Sequence, residues 1–154
     1  MNVIQIMDDI DKKILNIMQN NDKISYHKIA NKLNMAASTV HNRVKKMIDD
    51  GIIRSFNAII DLEKIGYKTI AWIGLKVNTL KMKKIAEKLA LYDEIQIVAT
   101  SMGDHEIVIQ IIAENEKELW RFINKKIKTI EGVKPQMDVS GFIDIYKMTH
   151  FIFF

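Results

Sequence analysis

Among its 154 residues the chain has no cysteine. That excludes disulfides, thiolate zinc sites and cysteine nucleophiles, and removes the usual mark of a small secreted domain. Proline occurs once and glycine six times, with no Ser/Gly-rich stretch, so no long flexible linker is written here. Any junction between domains must be short. No signal-peptide pattern precedes Asp8, and no run of about 18 apolar residues is available to span a membrane. The expectation is a cytoplasmic protein with no membrane partner. A Gly-rich phosphate loop and a GxSxG elbow are both missing, and no nucleophile stands with a base and an orienting group. The run His105-Glu106-Ile107-Val108-Ile109 begins like a zincin motif but has Ile109 where the second histidine is required. His27, His41 and His150 have no carboxylate or thiolate at ligand spacing. No metal site, no catalytic residue and no cofactor is therefore expected. The nine methionines read as core filler at inward positions.

What is present is a soluble globular composition, 48% hydrophobic and 27% charged, with room for one ordinary domain or two small ones. Its charge is unevenly placed. Between Lys23 and Ile48 stand Lys23, Lys28, Lys32, Arg43, Lys45 and Lys46, with no Asp or Glu among them. The whole chain has 23 basic and 19 acidic residues, so the rest of it is slightly acidic. Cationic charge concentrated on a pair of short helices is what a phosphate backbone selects, because each phosphate neutralised releases condensed counterions. A solvated lysine-rich face is the plain alternative.

The helices themselves can be placed. Asp8 and Asp11 bracket the start of a first helix, where carboxylates accept from unpaired backbone amides and suit the positive end of the dipole. Ile10, Ile14, Ile17 and Met18 follow at helical spacing as one buried stripe, and Asn20-Asn21-Asp22 ends it. Ser25 is the natural cap of a second helix with Ile29, Ala30 and Leu33 inward. Asn34 tolerates the left-handed conformation of a tight turn. A third helix runs from about 37 to 50 and stops at Gly51, with Val40, Val44, Met47 and Ile48 on its buried face. Ser38, Thr39, His41, Asn42, Lys45 and Lys46 are left facing outward. Small hydroxyls and an amide at the helix start, with cations further along, suit a helix laid into the major groove. Arg43, at the border of the buried face, either reaches a phosphate or braces the helices, and Lys28 on the second helix adds to the cationic surface. A three-helix protein-interaction module would fit the same pattern.

Several stretches then carry a resemblance. Asp8-Asp9-Ile10-Asp11-Lys12-Lys13-Ile14-Leu15, Ile24-Ser25-Tyr26 and Ile29-Ala30, Ser38-Thr39-Val40 with Arg43-Val44-Lys45-Lys46, and Asp50-Gly51-Ile52-Ile53 closely resemble the leucine-responsive (Lrp/AsnC, feast/famine) transcription regulators of bacteria and archaea. The resemblance extends over nearly the whole chain. It departs at Ala36, where the family usually has a capping Ser, and at Asn34, where it usually has Gly. It implies a winged helix-turn-helix over residues 1–52, a strand and hinge over 53–66, and a ligand-sensing and oligomerisation domain over 67–154.

The second half supports that layout. Strands at about 68–77, 95–102, 106–113 and 133–148 alternate with a helix carrying Met82, Ile85, Ala86 and Leu89 inward. A second helix, capped by Asn115, carries Leu119, Phe122, Ile123 and Ile127. The order βαββαβ is that of a ferredoxin-like sandwich, an α+β fold with both helices on one face of the sheet. The other face is expected to hold Ile70, Trp72, Ile107, Ile109 and Ile111, and so to need a second copy to cover it. The resemblance implies the same dimer, assembled further into an octamer, with a free amino acid bound between dimers. Thr100-Ser101-Met102-Gly103-Asp104-His105 matches the family's effector-loop signature, and Gln136 and Asp138 are the candidates from across that interface. Gly103 would let backbone amides approach a carboxylate, and Asp104 would pair an ammonium. An ordinary hairpin turn is the alternative for Gly103-Asp104. The tail 151–154 is expected to dock on its own domain or on a partner.

The function expected is thus a DNA-binding transcriptional regulator, not an enzyme, with double-stranded DNA and an amino acid as partners. Two rivals share the architecture: a sirohaem-decarboxylase-like enzyme, and a protein that coats DNA with little sequence preference.

Overall fold

The computed structural model describes residues 7–21, 23–149 and 152. The chain forms two compact units, one comprising Met1–Ile59 with Lys147–Phe154, the other Ile60–Tyr146.

In the first unit, α1 spans Asp9–Asn20 and begins with a reciprocal cap. The Asp11 amide donates to the Asp8 carboxylate at 2.8 Å, and the Asp8 amide donates to the Asp11 carboxylate at 3.1 Å. Two otherwise unpaired amides are satisfied by two residues. Helix α2, Tyr26–Leu33, is capped by Ser25. Asn34 takes the left-handed conformation (φ 52°, ψ 50°), which bends the chain sharply enough for α3, Ala37–Asp49, to start three residues later. Ala36 makes no side-chain cap. Losing such a cap typically costs about 0.5–2 kcal/mol, so α3 is held by its packing more than by its start. Gly51, at φ 71°, follows its last turn.

Ile14, Ile29, Ala30, Val40, Val44 and Met47 form the buried cluster of this unit. Ile48 does not belong to it and is 43% exposed. At about 100° per residue it sits roughly 70° from the centre of the Val40-Val44-Met47 stripe, at the edge of the buried face. Ile10, in the first turn of α1, is likewise outside the cluster. In the C-terminal segment, Ile152 exchanges two hydrogen bonds with the Gln19 amide of α1, at 2.8 and 2.9 Å. Asp22, His150, Phe151, Phe153 and Phe154 lie outside the described residues.

Residues 54–61 are exposed and belong to no strand pair among the described residues, so the strand expected in the junction is not seen there.

The second unit is a four-stranded antiparallel sheet in the order β2-β3-β1-β4: Ile95–Thr100, Ile107–Ala113, Thr69–Val77 and Val133–Gly141. Helices α4 (Met82–Leu89) and α5 (Glu116–Phe122) pack on one face. Helix α5 continues into a π turn, Ile123–Ile127, closed by the Lys128 amide donating to the Ile123 carbonyl at 2.9 Å. That turn keeps Ile123 and Ile127 both fully buried.

The register corrects one expectation. Ile73 lies opposite Ile109 and Leu75 opposite Ile107, so Ile107, Ile109 and Ile111 face the helices with Ala71, Ile73 and Leu75. Side chains alternate faces along a strand. The open face therefore carries Ile70, Trp72 and Gly74 of β1 beside Val108, Gln110 and Ile112 of β3, with Ile97 next to them on β2. An open apolar face exists, as expected, but β3 supplies it with even-numbered residues. No helix of the described residues is long and apolar enough to cross a membrane.

Candidate functional site

Two groups of side chains stand out, one in each unit. On α3, Ser38, Thr39, His41, Asn42, Lys45 and Lys46 are all exposed, as is Lys28 on α2. The buried stripe of Val40, Val44 and Met47 locks the rotation of α3 and so fixes which residues point outward. His41 also meets the Tyr26 ring edge-on, with centroids 5.7 Å apart, and so bridges the two helices of the turn.

Arg43 is used differently. Its guanidinium donates to Asp8 at 2.7 Å and to Asp11 at 2.8 Å, tying α3 to the start of α1. Of the two roles open to it from sequence, the structure shows the brace. The backbone bond from Asp11, followed by the Arg43 bond, holds the Asp8 carboxyl below its ordinary range, and the two carboxylates raise Arg43. A folded pKa below the unfolded one gives stability that is complete above the usual carboxylate range and is lost as acid is added through the lowered value. Arg43→Ala is expected to cost about 1 kcal/mol through the loss of the half-buried Asp11 bond, discounted for solvent. For a unit of this size that lowers Tm by about 4–8 °C, read by calorimetry. A much smaller shift would show that packing alone aligns α3.

In the second unit, the 101–106 loop is closed by the Ser101 amide donating to the Glu106 carbonyl at 3.0 Å. Gly103 has φ 133°, a conformation L side chains rarely adopt, and a Cβ there would meet no atom within 4 Å. Backbone geometry, then, is what requires glycine. Asp104 is exposed, as are Thr100, Ser101 and Gln136. Met102 is fully exposed at the tip, so it is no core filler. A loop closed on itself leaves its apex residue with no interior to enter.

The structure brings His105 and Asp138 together. Nε2 of His105 lies 2.6 Å from the Asp138 carboxylate, across strands far apart in sequence. The imidazole lies over Gly74, where an added Cβ would stand 2.6–2.7 Å from three ring atoms. Gly74 is there to admit the ring. Glu106, which sequence reasoning missed, anchors the other end of the loop by accepting the Val77 amide at 2.8 Å. That bond, aided by Lys134 and Lys76, holds its carboxyl below the ordinary range. The loop anchor is therefore complete above the usual glutamate range and released only as pH falls through the lowered value. Hydrogen exchange should find the Val77 amide protected at pH 5. Fast exchange there would mean the anchor does not hold in solution. A glycine in mid-strand was the available signal for the His105 seat, whereas nothing local marks Glu106.

These features sit in a recognisable lineage. The winged helix-turn-helix DNA-binding family matches residues 7–54, and the C-terminal dimeric alpha+beta barrel domain of the AsnC regulators matches residues 67–154. The HTH-type transcriptional regulator FL11 of Pyrococcus furiosus is 38% identical over 129 residues, which is 84% of this chain and 85% of that protein. Its Pyrococcus horikoshii counterpart is 40% identical over 128 residues, 83% of this chain and 84% of its own length. Escherichia coli AsnC has the same fold, with a TM-score of 0.88 over 94% of this chain and 97% of that one at 23% identity. The transcriptional regulator NMB0573 of Neisseria meningitidis, solved as a complex with L-Met, gives 0.87 over 94% of each chain at 19% identity. With shared domains at both ends, and with close relatives named as regulators, the chain belongs to the Lrp/AsnC family of DNA-binding, homo-oligomeric transcriptional regulators and is not an enzyme.

Proposed function

We propose that this regulator reads a specific DNA site with α3 and adjusts its activity to a free amino acid held by the 100–105 loop. The observation that carries the first part is the outward face of α3, where hydroxyl, amide and ammonium groups stand together on a helix whose rotation is locked by its core. Asn42 has the geometry to pair bidentately with adenine, Ser38 and Thr39 suit base edges or phosphates, and Lys45, Lys46 and Lys28 suit phosphates. Arg43 serves by holding the helix. Two copies joined through the open sheet face would present two such helices, so the site should be a pseudo-palindrome with half-sites one or more turns of about 34–36 Å apart.

The second part is supported by the loop. Gly103 leaves its backbone amides open to a carboxylate, Asp104 is exposed for an ammonium, and His105 and Asp138 hold the base of the loop. Thr100, Ser101, Met102 and Gln136 complete the expected set of ligand-facing residues. The L-Met complex of a regulator with the same fold favours an amino acid over other small ligands. Assembly of dimers into an octamer, with the ligand between them, is the arrangement this reading favours.

A panel of the twenty amino acids, read as Tm and sedimentation, tests the sensor. A ligand bound only by the folded assembly raises Tm by mass action. Asp104→Ala should then weaken the ligand so identified by roughly tenfold to a hundredfold in isothermal titration, the loss of a charge-assisted bond of about 1.5–3 kcal/mol. An unchanged dissociation constant would make the loop a hairpin and nothing more.

A further inference from the structure

The end of the chain belongs with its beginning. One unit comprises Met1–Ile59 with Lys147–Phe154 and the other Ile60–Tyr146, so the backbone leaves the unit that carries α3 after Ile59 and comes back to it at Lys147. That unit is attached at two points, not one. At the first crossing, residues 54–61 are exposed and in no strand pair among the described residues. At the second, pairing with β1 runs on to Phe142, whose amide donates to the Ile70 carbonyl at 2.8 Å, and residues 143–151 then lead to Ile152. Gln19 of α1 takes hold of Ile152 there: its Nε2 donates to the Ile152 carbonyl at 2.9 Å and its Oε1 accepts the Ile152 amide at 2.8 Å. One side-chain amide thus takes both backbone groups of one residue, as a neighbouring strand would, which fixes the direction of the segment as well as its place. Gln19 lies roughly 140° around α1 from the buried Ile14, on the flank turned away from the core, and is half-buried there. The opposite end of α1 carries Asp8 and Asp11, which hold Arg43 of α3. A single rigid helix therefore holds the C-terminal segment at one end and the outward-facing α3 at the other.

We infer that the clasp of Gln19 on Ile152 is a specificity determinant for DNA: as the second attachment of the reading unit, it fixes the separation of half-sites that a dimer accepts. The inference rests on the reading above, in which two copies present two α3 helices to a pseudo-palindrome. A unit held only through residues 54–61 can swing about that connection, and eight residues fully extended span up to about 26–29 Å. Moving one half-site by half a helical turn displaces it about 17 Å along the axis and carries it to the opposite side of the duplex. One connection of that length reaches either position. Once the chain is also closed through α1, any displacement has to satisfy both connections at once, anchored at different points, and the range of separations narrows. Linked binding is gained only where the geometry lets both helices engage. Gln19 belongs to no part of the outward face of α3, so it positions and does not read.

The test uses the full-length chain. Gln19→Ala opens the clasp from the helix side with a residue that favours helix, and Ile152→Pro removes the amide hydrogen from the other side. Three duplexes are compared: the pseudo-palindrome that the parent protein selects from a random pool, the same site with about five base pairs, half a turn, inserted between its halves, and a single half-site. The parent should favour the selected spacing over the inserted one on the order of a hundredfold, the scale of gain from linked binding, and each variant should lower that ratio roughly tenfold. Affinity for the single half-site should stay at the parent value, because every reading group is in place. A ratio left unchanged by either substitution would overturn the inference. Equal losses on all three duplexes would overturn it too, since the clasp would then support the fold of the reading unit and nothing more. A parent that binds one half-site as tightly as the full site would remove the two-helix reading itself, and the inference with it. Hydrogen exchange needs no variant: the Ile152 amide of the parent protein should be protected, and exchange at the rate of an unstructured peptide would mean that the clasp is open in solution and the inference wrong.

Discussion

Trp72→Glu is expected to separate the assembled protein into monomers. Trp72 stands mid-strand on β1, on the sheet face opposite α4 and α5, between Gln110 and Ser140 and on the same face as Ile70 and Ile97. A buried Trp at the centre of an interface is commonly worth about 2 kcal/mol or more, and a twofold interface loses it twice. About 4 kcal/mol per dimer raises the dissociation constant roughly a thousandfold, before the cost of burying an unpaired carboxylate is added. The helix-side core, with Ile73 and Leu75 on the opposite face, is untouched, so the monomer should stay folded. DNA affinity should fall with it, because two linked reading helices bind the second half-site at an effective concentration that a free monomer does not have. Analytical ultracentrifugation decides the matter. A species of unchanged mass would place the subunit interface elsewhere.

Asn42→Ala and the double change Lys45→Ala with Lys46→Ala should fail in different ways. If Asn42 pairs with a base edge, its loss costs about 1–3 kcal/mol on the cognate site, a factor of roughly 5 to 150, and little on random DNA. The lysine pair should weaken binding to every sequence and reduce the salt slope by about one unit for each phosphate released. All three residues are exposed, so neither protein should lose much stability. Anisotropy titrations on cognate and random duplexes at several salt concentrations separate the effects. Equal losses for Asn42→Ala on both duplexes would remove its reading role, and a salt slope unchanged by the lysine pair would remove theirs. A parent protein with the same affinity for both duplexes would favour the reading in which it coats DNA.

Much of the first unit was legible because its determinants are local. A helix start needs a side-chain oxygen at the right offset, and Asp8 and Ser25 supply it in sequence as they do in space. Asn34 marks the turn because few residues accept a positive φ. The outward set on α3 follows from three buried residues on a 3.6-residue period. Ile48 shows where that reasoning stops. The period says which way a residue leans, while the extent of the neighbouring helices decides whether it is covered.

In the second unit the sequence determined the order of elements, the inward residues of both helices and the existence of an apolar sheet face. Only the tertiary structure decided which residues form that face. Strands β1, β2 and β3 each offer apolar residues of both parities, and a one-residue slip between β1 and β3 exchanges one set for the other. The register of Ile73 with Ile109 is fixed by contacts between segments more than thirty residues apart. The same holds for the loop, whose glycine was readable but whose support was not. His105 over Gly74, its bond to Asp138, and the Glu106 anchor on Val77 each join different strands. Arg43 is the parallel case in the first unit. Sequence placed it at the border of the buried face with two possible roles, and the bonds to Asp8 and Asp11, 35 and 32 residues away, show that it braces the helices. Local spacing fixes what a side chain can do, and the partner that tertiary packing brings within hydrogen-bond reach fixes what it does.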